Sequence, residues 1–219
     1  MLSEVVPYIT ARAGESSDLD SLASLPDIGL LYPDEAWRDR DHRGVLWVRY
    51  SQALGEDGQP CGAPQWSDVH PWRQRETMLH LRCQVCAGPT KTARGYLFLS
   101  GSHNGTALPQ WPEGALQAQP PLCLEHARLS VRSCGFLTRA GHVAMLVERP
   151  QLFGVIGTWF QVTKRGLVDV EVEDPKEPVS YKHPDLRWFL ASQLVRVLRD
   201  VTIVDLDELE LAEAGPVAG

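Results

Sequence analysis

Residues 185–199, DLRWFLASQLVRVLR, decide how the chain is read. Trp188, Ala191, Leu194, Val195 and Leu198 recur at intervals of three and four, the spacing that lines up one face of an α-helix. Pro184 suits a first helical turn, and Arg196 and Arg199 complement a carboxyl-terminal helix end. The stretch is therefore predicted as a helix that packs on the body of the protein and closes its core.

Immediately before it, three apolar runs read as strands: HVAMLVER from 142, LFGVIGTWFQV from 152 and LVDVEVE from 167. They are separated at Arg149–Pro150 and at Lys164, Arg165 and Gly166, and such short connections join neighbouring antiparallel strands most simply. GVIGT, 154–158, lacks the glycine pattern of a dinucleotide fingerprint and the lysine of a phosphate loop, so its glycines are expected at a bulge or a close approach of strands. Further toward the amino terminus, RGVLWVRYSQ (43–52) and residues 95–100 read as strands, and GEDGQPCGAP (55–64) as a turn. PWRQRETMLHLR (71–82) reads as a helix with Pro71 in its first turn, its arginines and Gln74 toward solvent, and Met78 and Leu81 inward. HARLSVRSC (126–134) fits a short helix with Ala127, Val131 and Cys134 at helical spacing. VTIVDLDELEL (201–211) is expected to add a last strand. The architecture expected is α+β, mainly antiparallel sheet with a C-terminal packing helix, in a single domain over 1–219 with a flexible tail at 212–219.

The chain has 219 residues, 43% hydrophobic and 22% charged, which suits an ordinary globular protein with its own core. Its formal net charge of −7 speaks against a surface that neutralises many phosphates, although Arg73, Arg75 and Arg82 form a local basic segment. Neither a secretory start nor an apolar run long enough to span a bilayer is present in the sequence, so a cytoplasmic protein is expected, and the NGT at 104–106 carries no glycosylation meaning. Five cysteines, an odd number, favour thiols or metal ligands over a disulfide framework.

Four of those cysteines cluster in RCQVCAGP (82–89) and LCLEHARLSVRSC (122–134). Cys83 and Cys86 form C-x2-C, and Cys123 with His126 forms C-x2-H after an interval of 36 residues. Two short pairs drawn from distant parts of a chain can surround Zn2+ tetrahedrally without stretching the local backbone. The set Cys83, Cys86, Cys123 and His126 resembles broad zinc-knuckle and zinc-ribbon patterns. The resemblance covers those ligands and their neighbours, with Gly88 and Pro89 supplying the sharp turn a knuckle needs. It implies a zinc-stapled subregion over 80–135. Four protein ligands leave no open coordination position, which makes the zinc structural. Cys134 is an alternative fourth ligand in place of His126, and His142 an outer one; a redox dithiol at CQVC is a further rival that leaves Cys123 and His126 without a role.

Elsewhere the bland readings prevail. His70 and His80 make no close metal pair and read as surface or helix-end histidines, with Asp68 or Glu76 the carboxylates that could turn His70 into a base. Asp39, Asp41 and His42 read as a solvated charge run, Cys61 as an ordinary thiol and SGSHNG around His103 as a turn. Trp47, Trp159 and Trp188 are expected in the core, while Trp66, Trp72 and Trp111 lie in loops that could form a stacking surface. Two metal-ligand pairs without a matching catalytic set point to a binding or protein-interaction module with structural Zn2+, taking a protein or small-molecule partner and no membrane. The alternatives are a small metal- or thiol-dependent enzyme using His70, His80 or Cys61, and a nucleic-acid accessory protein, which the net charge disfavours.

Overall fold

A computed structural model describes residues 5–101, 110–164 and 166–209. Among these the chain runs through β1 (Thr10–Arg12), β2 (Ala23–Leu25), β3 (Gly29–Leu31), β4 (Leu46–Trp47), β5 (Pro64–Val69) and helix α1 (Pro71–Leu79). It continues through β6 (Lys91–Thr92), β7 (Gly95–Gly101), β8 (Leu116–Gln117), α2 (Leu124–Ser133) and α3 (Gly135–Ala140). The last part holds β9 (His142–Thr163), β10 (Gly166–Asp169), β11 (Val179–Ser180), a single 3-10 turn at Leu186–Trp188, and β12 (Phe189–Val204). The fold is mixed α+β and mainly antiparallel; the pairing of β12 with β4 is parallel. The NGT at 104–106, His103 and the tail expected at 212–219 lie outside the described residues.

The chain forms two compact units. In the first, here the cysteine unit, lie Glu76–Leu152 and 196–209. Its β7 and β9 pair antiparallel, from Tyr96 opposite Val147 to Gly101 opposite His142. Leu97 and Leu99 with their partners Leu146 and Ala144 face one apolar cluster that also holds Cys83, Leu122, Ala127 and Leu206. Phe98 and Met145 face another, with Val147 and Leu198. Both faces of β7 are thus covered, and its sequence reads as a continuous apolar run for that reason. Helix α2 buries Ala127 and packs Leu124 and Val131 on the first cluster. Arg128 on the same helix holds the carbonyls of Leu206 (2.8 Å) and Leu209 (2.9 Å).

The second unit, Tyr8–Arg75 and Phe153–Val195, is the ion-pair unit. β1 pairs antiparallel with β5, and β2 with β3. Leu46 and Trp47 of β4 lie beside Leu190 and Ala191 of β12. Leu30, Tyr32, Leu46 and Leu190 form its apolar cluster, with Phe160, Leu167 and Trp188 packed against it. β10 folds back on β9 as a hairpin, Gly166 opposite Thr163, and β11 pairs with β9 at Val155 and Gly154. The expectation for the glycines of GVIGT holds. A Cβ on Gly154 would lie 1.9 Å from the Val179 carbonyl oxygen, and one on Gly157 2.1 Å from that of Leu190, so both positions admit only glycine without a shift of backbone.

The predicted C-terminal packing helix is not formed. Residues 186–188 make the 3-10 turn, and everything from Phe189 to Val204 is one strand. Phe189, Leu190 and Ala191 are buried in succession, as are Leu194, Val195 and Arg196, because the strand is covered on both faces. A strand of that kind loses its two-residue alternation, and the surviving apolar positions match a helical stripe by coincidence. Arg196, expected near a helix end of its own, instead serves α1. Its Nε donates to the Met78 carbonyl at 2.9 Å and its Nη2 to that of Leu79 at 3.0 Å, satisfying two acceptors that the last helical turn leaves open. A further bond runs from Nη1 to the Pro150 carbonyl.

Three other expectations need correction. Arg149 and Pro150 do not divide two strands, since β9 runs through them. Its partner changes there, from β7 up to Val147 to β11 at Gly154 and Val155, and a proline is tolerated where a ladder hydrogen bond is not required. The strand expected over 43–52 contracts to Leu46–Trp47, although Val45, Leu46 and Trp47 are all buried as a two-sided strand requires. Helix α1 starts at Pro71 and buries Met78, but Arg73 and Gln74 are fully buried as well. Gln74 accepts from the Leu194 N–H at 2.8 Å and donates to the Leu194 carbonyl at 2.9 Å, standing in for a missing strand neighbour.

Candidate metal centre

The first ligand pair sits directly after α1. Leu81 takes a left-handed φ of 51° and the Arg82 N–H returns to the Thr77 carbonyl at 2.8 Å, which terminates the helix and turns the chain. Arg82 and Pro89 form an antiparallel bridge that closes the loop between them. Inside it the Cys83 N–H donates to the Gly88 carbonyl and the Ala87 N–H to the Cys83 carbonyl, both at 2.8 Å. Ala87 is also left-handed, at φ 55°, and a Cβ on Gly88 would come within 3.2 Å of the Cys86 sulfur. The turn expected at Gly88 and Pro89 is therefore present, with Ala87 as its left-handed residue.

The second pair reaches the first through the sheet. Leu122 bridges Leu97 of β7, its N–H bonding to the Leu97 carbonyl at 2.8 Å, and the Gln84 N–H bonds to the Pro121 carbonyl at 3.1 Å. Cys123 follows as the residue that caps the amino end of α2, and His126 lies in the first turn of that helix. The Cys123 Sγ and His126 Nδ1 are 3.0 Å apart.

The potential ligand atoms of Cys83, Cys86, Cys123 and His126 all lie within 4.8 Å of one another. A tetrahedral zinc with bonds of about 2.3 Å to sulfur and 2.0 Å to nitrogen separates its ligands by about 3.5–3.8 Å. The cluster can close on such an ion with small adjustments of side chains. Burial pushes all three thiols above their ordinary range. Backbone N–H groups oppose the burial: those of Cys123, Cys86 and Val85 at the Cys83 sulfur, of Gly88 at Cys86, and of His126 at Cys123. A cavity of thiols that is costly to ionise, yet has donors aimed at its sulfurs, is chemically matched to a thiophilic cation.

Cys134 stands outside this group. It is exposed at the far end of α2, eleven residues and so about 16.5 Å along the helix from Cys123 at 1.5 Å per residue. His142 is exposed at the start of β9 and is not part of the group either. Cys61 is an exposed free thiol, and His80 is exposed.

His70 is not a surface residue. It is buried at the start of α1, where its Nδ1 accepts from the Arg73 N–H at 3.4 Å and its Nε2 lies 3.1 Å from the Ser51 carbonyl, with Tyr50 packed edge-on. Its nearest carboxylate is Glu15, at 3.9 Å, rather than Asp68 or Glu76. Burial, reinforced by the Arg73 charge, pushes its pKa down and keeps the ring neutral. Arg73 itself grips both oxygens of Glu15 at 2.7 Å and donates to the Thr10 carbonyl at 2.9 Å. Burial alone would raise the Glu15 carboxyl, but the hydrogen bonds from Arg73 and from the N–H groups of Arg12 and Ala53 outweigh it and hold it below the usual carboxylate range. The pair is 58 residues apart in sequence and no pattern announces it.

Asp39 and Asp41 likewise do structural work instead of forming a solvated charge run. Asp39 is held by Arg49 at 2.7 and 3.1 Å and accepts from the Ala36 N–H, while Asp41 accepts from Tyr181 Oη at 2.7 Å and from the N–H groups of Arg43 and Val45. Among the tryptophans, Trp47 is buried, Trp159 and Trp188 are half-buried, and Trp66 is exposed. No protein-family model matches the chain, and no curated protein or solved structure matches it. Among the described residues no helix is long and apolar enough to cross a membrane.

Proposed function

We propose that Cys83, Cys86, Cys123 and His126 hold one structural Zn2+, and that the chain is a zinc-containing binding module that works in the cytoplasm. The observation that carries this is the convergence of three sulfurs and an imidazole from two distant segments, with backbone donors on each sulfur. In this reading the metal staples residues 80–135 as a knuckle-like insertion. Cys83 belongs to the buried apolar cluster beneath α2, so the ion would extend the core and not open onto a substrate. Reduced, clustered thiols suit a reducing compartment. The enzyme alternative loses one of its three candidates, because His70 is enclosed among Tyr50, Ser51, Arg73 and Glu15.

Elemental analysis of untagged protein purified without chelator tests the reading. About one tightly bound zinc per chain is expected, and less than half an equivalent overturns it. Cobalt substitution should give the intense visible and thiolate-charge-transfer bands of a tetrahedral three-sulfur site; an octahedral cobalt spectrum would also overturn it.

A further inference from the structure

The ion-pair unit carries a cavity of about 570 Å³, broadly open to solvent, between the end of β9 and the turn that precedes β12. Trp159, Phe160 and Gln161 line it from the strand, and His183, Asp185 and Trp188 from the turn. Its size falls among the pockets that take small molecules, about 300–1,000 Å³. None of the residues discussed as metal ligands belongs to it, so its role is independent of the zinc.

The cavity is built on fixed backbone. On the strand side, Trp159 to Thr163 are locked by β10, with Phe160 opposite Asp169, Gln161 opposite Val168, and the Val170 N–H on the Trp159 carbonyl at 2.8 Å. On the turn side, the His183 N–H bonds to the Ser180 carbonyl at 2.9 Å and the Trp188 N–H to the Asp185 carbonyl at 2.8 Å. Two ring contacts steady Trp159, with His183 at 5.0 Å and Phe189 at 4.7 Å between centroids. The Asp185 N–H donates to His183 Nδ1 at 3.2 Å. The Trp159 ring and the backbone that carries Asp185 are therefore held before a ligand arrives, which lowers the ordering cost of binding.

The chemistry of the lining selects the occupant. Asp185 is the one acidic or basic side chain besides His183 in the lining, and it has no ion-pair partner among the described residues. Indole faces carry negative potential and attract a cation within about 6 Å of the ring centre, most strongly when the cation sheds its water easily. A primary ammonium keeps its hydration and gains less. A methylated one presents apolar surface to the rings and its charge to the carboxylate.

We propose that this cavity binds a quaternary ammonium head group carried by a small molecule. Choline is the probe, and 3,3-dimethylbutan-1-ol, with the same shape and no charge, is its control. Binding followed by tryptophan fluorescence and by ligand-observed NMR should show choline at least tenfold tighter than the neutral isostere, and tighter than ammonium ion. Equal binding of choline and isostere, or no choline binding at 50 mM, overturns the proposal. Asp185→Asn keeps the backbone hydrogen bonds of the turn and should weaken choline at least fivefold with circular dichroism unchanged; an unchanged choline affinity counts against the carboxylate's role. A trimethyllysine peptide that binds more than tenfold tighter than choline would overturn the assignment to a small molecule. Zinc content should be the same in every variant, which separates failure here from failure of the metal assignment.

Discussion

The two units each bury a polar cluster, and they neutralise it by opposite means. In the ion-pair unit Glu15 and Arg73 are wholly buried and cancel each other within the chain, with every Glu15 oxygen hydrogen-bonded. In the cysteine unit three thiols and an imidazole meet, and no basic side chain pairs with them among the described residues. The Glu15 carboxylate finds its counter-charge within the chain, whereas the sulfurs and imidazole are arranged so that they could hold a cation. Buried polar groups are tolerated when paired, and the contrast supports the proposal that a metal serves the cysteine unit.

The sharpest way to break that contrast is to remove a proposed ligand. Cys83→Ser should reduce bound zinc from about one equivalent to below a tenth, and lower the melting temperature by about 10–20 °C, since a structural zinc contributes several kcal/mol to folding. The exposed Cys134→Ser should leave both within about 2 °C and a tenth of an equivalent. If instead Cys134→Ser releases the metal, the cluster has been misassigned. The matching test in the other unit is Glu15→Gln, which strands Arg73 in the core and should cost about 3–5 kcal/mol by urea denaturation. Zinc content should not change. Replacing both partners together, Glu15→Leu with Arg73→Met, should recover most of that loss, because no buried charge is then left alone.

Smaller effects follow from backbone fit. Gly157→Ala places a methyl where the Leu190 carbonyl already lies, 2.1 Å away, and is expected to cost about 1–3 kcal/mol in chemical denaturation. The same substitution would be nearly silent if β12 were the helix that its sequence suggests. It therefore tests the correction that changes the fold most.

What was legible in the sequence depended on whether a signal was local. Helix α1 began at Pro71 as expected, and β7 and the antiparallel β9–β10 hairpin followed from apolar runs flanked by turn residues. The spacing of Cys83, Cys86, Cys123 and His126 singled out four residues that lie together in space. The failures share one cause, which is burial on both sides of an element. Ala191, Leu194, Val195 and Leu198 of β12 keep a helical spacing because both faces of the strand are covered there, so apolar residues stand on each face and the two-residue alternation is lost. Arg73 and Gln74 look solvent-bound by type, and only partners at Glu15 and Leu194, 58 and 120 residues away, explain their burial. Composition cannot reveal a partner at that separation. The tilted contact of Trp159 with His183 was equally hidden, since strand and turn approach only in the fold.

The subtlest test concerns His70, which lies in the self-neutralised cluster yet remains titratable. Its folded pKa is depressed by burial and by Arg73, whereas in the unfolded chain it titrates near the ordinary value of about 6.5. Above that value the ring is neutral in both states and costs nothing. As the pH falls below it, the unfolded chain takes up a proton that the folded one refuses, so stability is lost progressively until the folded pKa is reached. His70→Gln removes this proton while retaining groups that can bond to the Ser51 carbonyl and the Arg73 N–H. The stability difference between wild type and His70→Gln should therefore move by about 1 kcal/mol against the wild type between pH 7 and 5.5. Because the cysteine unit is identical in the two proteins, any pH dependence of its metal cancels in the difference. A difference that stays flat with pH would mean that the folded and unfolded chains titrate His70 alike, and that burial beside Arg73 does not depress its pKa.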